Sequence, residues 1–230
     1  MKVGCGRFAV ARERYFAELP TVEIGPAFID PMKPATAETW RREAPKDFDF
    51  SVPASQVVTH TSESSTYNRI RAKIPERRRA FCGHFRDTPE VALAWEATQA
   101  LAVALRARFV VFDTPATFYP DANHLRDMYR FFKSMRRGPW TLVWQPRGSW
   151  QERMVLTVCR DLGLVRALDP LKDPEPETEG VRYYRLPGQG YTDAQLSSVR
   201  RAAARGQSYL YFTHPRGWLE AKRLVTGRAR

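Results

Sequence analysis

The sequence predicts a single parallel α/β domain, and three observations carry that prediction. Eight short β-rich runs alternate with helical windows along the chain. The runs are apolar or alternating, and mostly bounded by Pro, Gly or Asp. The 230 residues, 43% of them hydrophobic, are enough to bury roughly 70–75% of the unfolded surface.

In chain order the predicted strands are 2–5, 21–25, 48–54, 109–114, 140–145, 164–169, 181–186 and 209–213. Helical windows lie at 36–43, 88–106, 121–135, 151–162, 192–205 and 217–225. The 36–43 window opens on Thr36 with an imperfect capping box. The 88–106 window has Thr88 as N-cap, Pro89 at the first helical position, and Val91, Trp95, Thr98, Leu101 and Ala102 at the spacing of an apolar face. Eight strands close a (β/α)8 TIM barrel, although the type more often runs to about 250 residues. Two stretches break the rhythm. Residues 56–87 form a long basic loop after strand 3, where helices are expected to be short or irregular. Residues 171–180, after strand 6, carry Asp173, Glu175, Glu177 and Glu179 and read as a solvated acidic loop.

The chain holds 37 basic against 25 acidic residues, a net charge of +12. Such an excess favours an anionic partner, nucleic acid or a phosphorylated ligand, although base composition of the genome would also enrich the 30 arginines. No apolar run approaches the roughly 18–20 residues that span a bilayer. MKVGCGRFAV lacks the continuous apolar core of a signal peptide, so a cytoplasmic protein with no membrane partner is expected. Cys5, Cys82 and Cys159 form no CxxC pair and no disulfide framework.

GCGRF is followed by YFAELPTVEIGPAFIDPMKPATAETWRREAPKDFDFSVPASQVVTH, FVVFDTPATF, LVWQPRGSW, ALDP, YYRLPGQGY and YLYFTHPRGWLEAKRL. In that order, the stretches resemble the YecE-like family, domain of unknown function 72. The resemblance covers essentially the whole chain and implies one TIM-barrel domain over residues 1–230. It implies no activity, since the family has no established reaction. The chain departs from the family pattern at Asp113–Pro115, where Gln-Leu-Pro is common, and at Gln145, where Glu is frequent. It departs again at Pro187, in place of His, and at Thr213 and His214, in place of an Asn pair.

In a TIM barrel the functional groups sit at the C-terminal strand ends and in the loops that follow. The assignment puts Arg7, Glu23, Gln56, His60, Asp113, Gln145, Arg147, Asp169, Arg185 and His214 there. Glu23 lies inside the apolar run TVEI, where an ionised carboxylate needs a partner. It reads as a barrel-lining partner of Arg185 or Arg7, or as a general base or metal ligand. Glu23, Asp169 and His60 are the candidate catalytic groups. With Asp113 and His214 they also make up a candidate ligand set for a divalent metal, without HxH or HExxH spacing. His84 and His124 read as lying outside the mouth, solvated or structural.

Arg7, Arg147 and Arg185 form a second constellation, whose guanidinium forks suit phosphate or carboxylate or else pair with rim carboxylates. Gln145 joins them as a candidate ligand-binding group. Phe28, Phe118 and Trp150 could supply a planar wall or simply pack their loops. Arg69 to Arg86 adds six net positive charges, Arg77, Arg78 and Arg79 among them, interleaved with Tyr67, Phe81 and Phe85. That mixture suits single-stranded nucleic acid, and is also what a solvated arginine-rich loop looks like. The basic stretch from Arg200 to Arg230 reads as an outer helical surface. Three readings follow: a barrel binding an anionic ligand at its mouth, a metal-assisted phosphoester hydrolase, and a barrel that has lost an ancestral activity.

Overall fold

The structure, a computed structural model, describes residues 1–70, 74–174 and 180–227. In order these residues form β1 (Lys2–Cys5), α1 (Arg12–Glu18), β2 (Thr21–Glu23), α2 (Pro34–Glu43), β3 (Asp49–Pro53), α3 (Gln56–Thr59), α4 (Glu76–Arg79) and α5 (Pro89–Leu105). Then follow β4 (Phe109–Asp113), α6 (Ala122–Ser134), β5 (Thr141–Gln145), α7 (Glu152–Leu162), β6 (Val165–Leu168), β7 (Arg182–Leu186), α8 (Asp193–Ala203), β8 (Ser208–Phe212) and α9 (Gly217–Thr226). The strands pair in parallel in sequence order and β8 closes on β1. This is the (β/α)8 TIM barrel expected from the strand count.

Strand period decides what each side chain does. In β4 (FVVFD), Phe109 and Val111 point inward, where they pack with Val143, Ala167, Tyr183, Tyr209 and Tyr211. Val110 and Phe112 join the second core, between barrel and helices. Continuing each inward series by one step delivers Glu23 on β2, Asp113 on β4, Gln145 on β5 and Arg185 on β7 to the same end of the barrel.

Two local expectations change. β2 stops at Glu23 rather than residue 25, because Gly25–Phe28 turn into a 3-10 helix. Helix α1 was not anticipated; its seven residues bury Tyr15, whose hydroxyl accepts from the Cys5 amide at 2.7 Å and donates to the Thr21 carbonyl at 3.0 Å. The loop after β3 carries short helices, as expected: α3, a 3-10 turn at Ser65–Arg69 and α4. Arg71 and Lys73 of the basic run, Glu175, Glu177 and Glu179 of the acidic one, and Arg228 and Arg230 lie outside the described residues. Among those described, no helix is long and apolar enough to cross a membrane.

Candidate functional site

Arg185 sits at the centre of the mouth. Its Nη2 donates to Glu23 Oε1 at 2.8 Å, and its Nη1 donates to Asp113 Oδ2 at 2.9 Å and to Gln145 Oε1. Arg147 grips Asp113 from above, Nε to Oδ1 at 2.7 Å and Nη2 to Oδ2 at 2.9 Å. Glu23, only 1% exposed, receives its other hydrogen bond from the Tyr183 hydroxyl at 2.8 Å. Tyr183 also meets Ser51 Oγ at 2.6 Å.

The electrostatics of this cluster are mutually dependent. Burial raises the Asp113 carboxyl, but Arg185 and Arg147 outweigh it and bring the pKa down to about 2. Burial likewise works against the Arg185 charge, and Glu23 and Asp113 overcome it, pushing its pKa up. Burial, reinforced by Glu23, holds the Tyr183 phenol well above its usual range, so it stays protonated and donates.

Above this floor opens a cleft of about 880 Å3. Phe28, Ile29 and Met32, in the loop after β2, form one wall. Arg7, Lys33 and Arg69, from the loops after β1, β2 and β3, line it as exposed cations with no ion-pair partner among the described residues. Behind Phe28, whose ring lies 4.9 Å from that of His60, the His60 Nδ1 meets Thr59 Oγ1 at 2.9 Å. Burial lowers the His60 pKa to about 4, with Asp113 opposing and Arg147 assisting, so the ring is neutral near pH 7. Gln56 is fully buried, and neither amide atom finds a partner among the described residues.

The sequence-predicted residues separate into two groups. Glu23, Asp113, Gln145, Arg147 and Arg185 come together, and Arg7 and Phe28 line the cleft over them. The candidate metal set does not assemble: Arg185 lies between Glu23 and Asp113, and among the described residues no three His, Cys, Asp or Glu side chains are grouped to hold an ion. Asp169 instead accepts from the Leu171 amide at 3.0 Å. His214 pairs with Glu220 and its Nδ1 accepts from the Arg216 amide at 3.2 Å, while Glu220 also accepts from the Gly190 amide at 2.6 Å and so ties the loop after β7 to α9. Trp150 packs on Trp144 and Phe118 and donates to the Phe118 carbonyl at 2.7 Å, so it is no wall of the cleft. Arg77, Arg78 and Arg79 do not line it either: Arg78 binds Glu90 on α5 at 2.6 Å, and Arg79 donates to the Ile74 carbonyl.

His84 and His124 line no part of the cleft and take the structural of their two expected roles. Their rings meet at 4.5 Å beside Phe118, and His84 is buried. A left-handed turn puts them there, with φ of 81°, 54° and 57° at Gly83, His84 and Phe85. Sequence reasoning missed this turn, along with Tyr183, Ser51, Lys33 and the cleft-lining role of Arg69. For Tyr183 the signal was available, since it stands two residues before Arg185 on the inward face.

A family model described as "Protein of unknown function DUF72" matches residues 9–224. The chain belongs to that family. A DUF72 family protein from Enterococcus faecalis has the same fold at a TM-score of 0.67 and 14% identity, covering 99% of this chain and 98% of that one. A DUF72 family protein from Thermotoga maritima aligns at 0.64 and 14%, covering 98% of each chain. Endonuclease IV from Thermus thermophilus aligns at 0.54 and 12%, covering 99% of this chain and 100% of that one. At these identities the likeness is one of fold. No curated protein matches the chain. The DUF72 barrel therefore has to be read from its own mouth.

Proposed function

We propose that this DUF72 barrel binds a phosphorylated ligand at its C-terminal mouth, either a small phosphorylated compound or single-stranded nucleic acid carrying the same group. One observation carries the reading. The carboxylates at the cleft floor, Glu23 and Asp113, are already held by Arg185 and Arg147, whereas Arg7, Lys33 and Arg69, which line the cleft along with Asp30, form no ion pair among the described residues. Guanidinium and ammonium groups without counterions are receptors for phosphate oxygens. Phe28 offers an aromatic face on which a base could stack. The dispersal of Glu23, His60, Asp113, Asp169 and His214 gives metal-assisted phosphoester hydrolysis no comparable support.

Fluorescence anisotropy of labelled single- and double-stranded oligonucleotides across a salt series, with a nucleoside monophosphate as competitor, tests the reading. For single strands, log K should fall with log salt by about 0.7 per phosphate contacted. Arg7→Ala with Arg69→Ala should reduce that slope by about 1.4 and weaken the competitor too. An unchanged slope and unchanged competition would show that the mouth is not the receptor.

A further inference from the structure

The opposite end of the barrel carries a second concentration of positive charge. A cleft of about 510 Å3 opens beside the N-terminal end of β3, lined in part by Arg41, Arg42, Lys46, Asp49 and Arg106. Arg41 is held rigidly. Its Nη1 donates to the Phe48 carbonyl at 2.7 Å, its Nη2 donates to the carbonyls of Ala44 and Pro45, and its guanidinium lies 5.1 Å from the centroid of the Phe50 ring. Arg106 ends α5 in the left-handed region at φ 47°, a position ordinarily left to glycine.

Arg41 and Arg106 both line this cleft. Burial is the main influence lowering the Arg41 pKa and the Arg106 charge is the next, with the Asp49 and Asp47 carboxylates acting against both. Asp49, the carboxylate in the lining, already accepts from Lys2 Nζ at 2.7 Å and from the Tyr209 hydroxyl at 2.9 Å. Lys46 and Arg106 are exposed and have no acidic partner among the described residues. The N-terminal face of a TIM barrel ordinarily serves stability, and clustered like charges work against stability. An anion seated between them removes that conflict.

We infer that this N-terminal cleft is a phosphate-binding site separate from the mouth, in which Arg41, Lys46 and Arg106 receive a diphosphate-sized group. The inference does not depend on the mouth reading. Two variants keep the two apart: Lys46→Ala with Arg106→Gly, and Arg7→Ala with Arg69→Ala. The first preserves the fold, since Lys46 is exposed and glycine accepts φ 47° more readily than arginine.

The test titrates inorganic pyrophosphate into each protein and follows the backbone amides of residues 44, 46–49 and 105–108 by NMR. Pyrophosphate should move these amides in the parent and equally in the mouth variant, with affinity roughly tenfold weaker in the Lys46→Ala/Arg106→Gly variant. Amides that stay still in the folded parent, or that move with parental affinity in that variant, would overturn the inference. A single-stranded oligonucleotide added in competition separates the sources of phosphate. Displacement of pyrophosphate identifies a nucleic-acid backbone as an occupant, and its absence identifies a small phosphorylated molecule.

Discussion

Replacing Asp113 by asparagine removes the charge shared by Arg185 and Arg147 while keeping the shape of the side chain. The drop of the Asp113 carboxyl from 3.8 to about 2 sets the size of the effect. At about 1.4 kcal/mol per pH unit, the ionised carboxylate contributes about 2 kcal/mol to folding. Its side chain is only 15% exposed, so solvent screens little of that. Because the folded value lies below the unfolded one, the contribution is complete above about pH 4 and is lost as pH falls toward about 2. Asparagine has no such window. In urea melts at pH 7 the variant should be about 2 kcal/mol less stable than the parent, or roughly 4–8 °C lower in Tm for a chain of this size. The gap should close between about pH 4 and about pH 2. A variant within about 0.5 kcal/mol of the parent at pH 7, or a gap that persists into the acid range, would refute the claim that Asp113 is held ionised by its two arginines.

Other regions make equally specific predictions. Gly83 has φ +81°, and a Cβ there would lie 2.3 Å from the His60 carbonyl carbon. Gly83→Ala should therefore cost at least about 2 kcal/mol in chemical denaturation, and parental stability would contradict the close approach. Burial pushes the Cys5 and Cys159 thiols up to about 12. Both should resist iodoacetamide at pH 8 in the native protein and react only on unfolding, so rapid native labelling at either position would be the contrary result.

The barrel was legible because its signals are local and repeated. A run such as FVVFD announces a buried strand, and its two-residue period also tells which residue emerges at the mouth. The same period brings Glu23, Asp113, Gln145 and Arg185 to one end, with Arg185 among the expected partners of Glu23. It could not show that Arg185 inserts between two carboxylates, since that depends on rotamers and on strands up to 162 residues apart in the chain. The candidate metal set failed for this reason: strand ends can be counted, but the partner each side chain chooses cannot. Arg78 illustrates the same limit, a loop arginine whose charge is taken up by Glu90 on the next helix. The left-handed turn at residues 83–85 was illegible for another reason. Only Gly83 advertises a positive φ, whereas His84 and Phe85 are held in theirs by hydrogen bonds from their amides to the carbonyls of Thr59 and Val58.

The most direct test of the central claim is a crystal structure of the protein soaked with a nucleoside monophosphate. Density for the phosphate is expected at the C-terminal mouth, within hydrogen-bonding reach of Arg7, Lys33 or Arg69, with the Arg185 bridge between Glu23 and Asp113 intact. An empty mouth at ligand concentrations that fill other surface sites, or a phosphate that displaces Arg185 from its carboxylates, would contradict it.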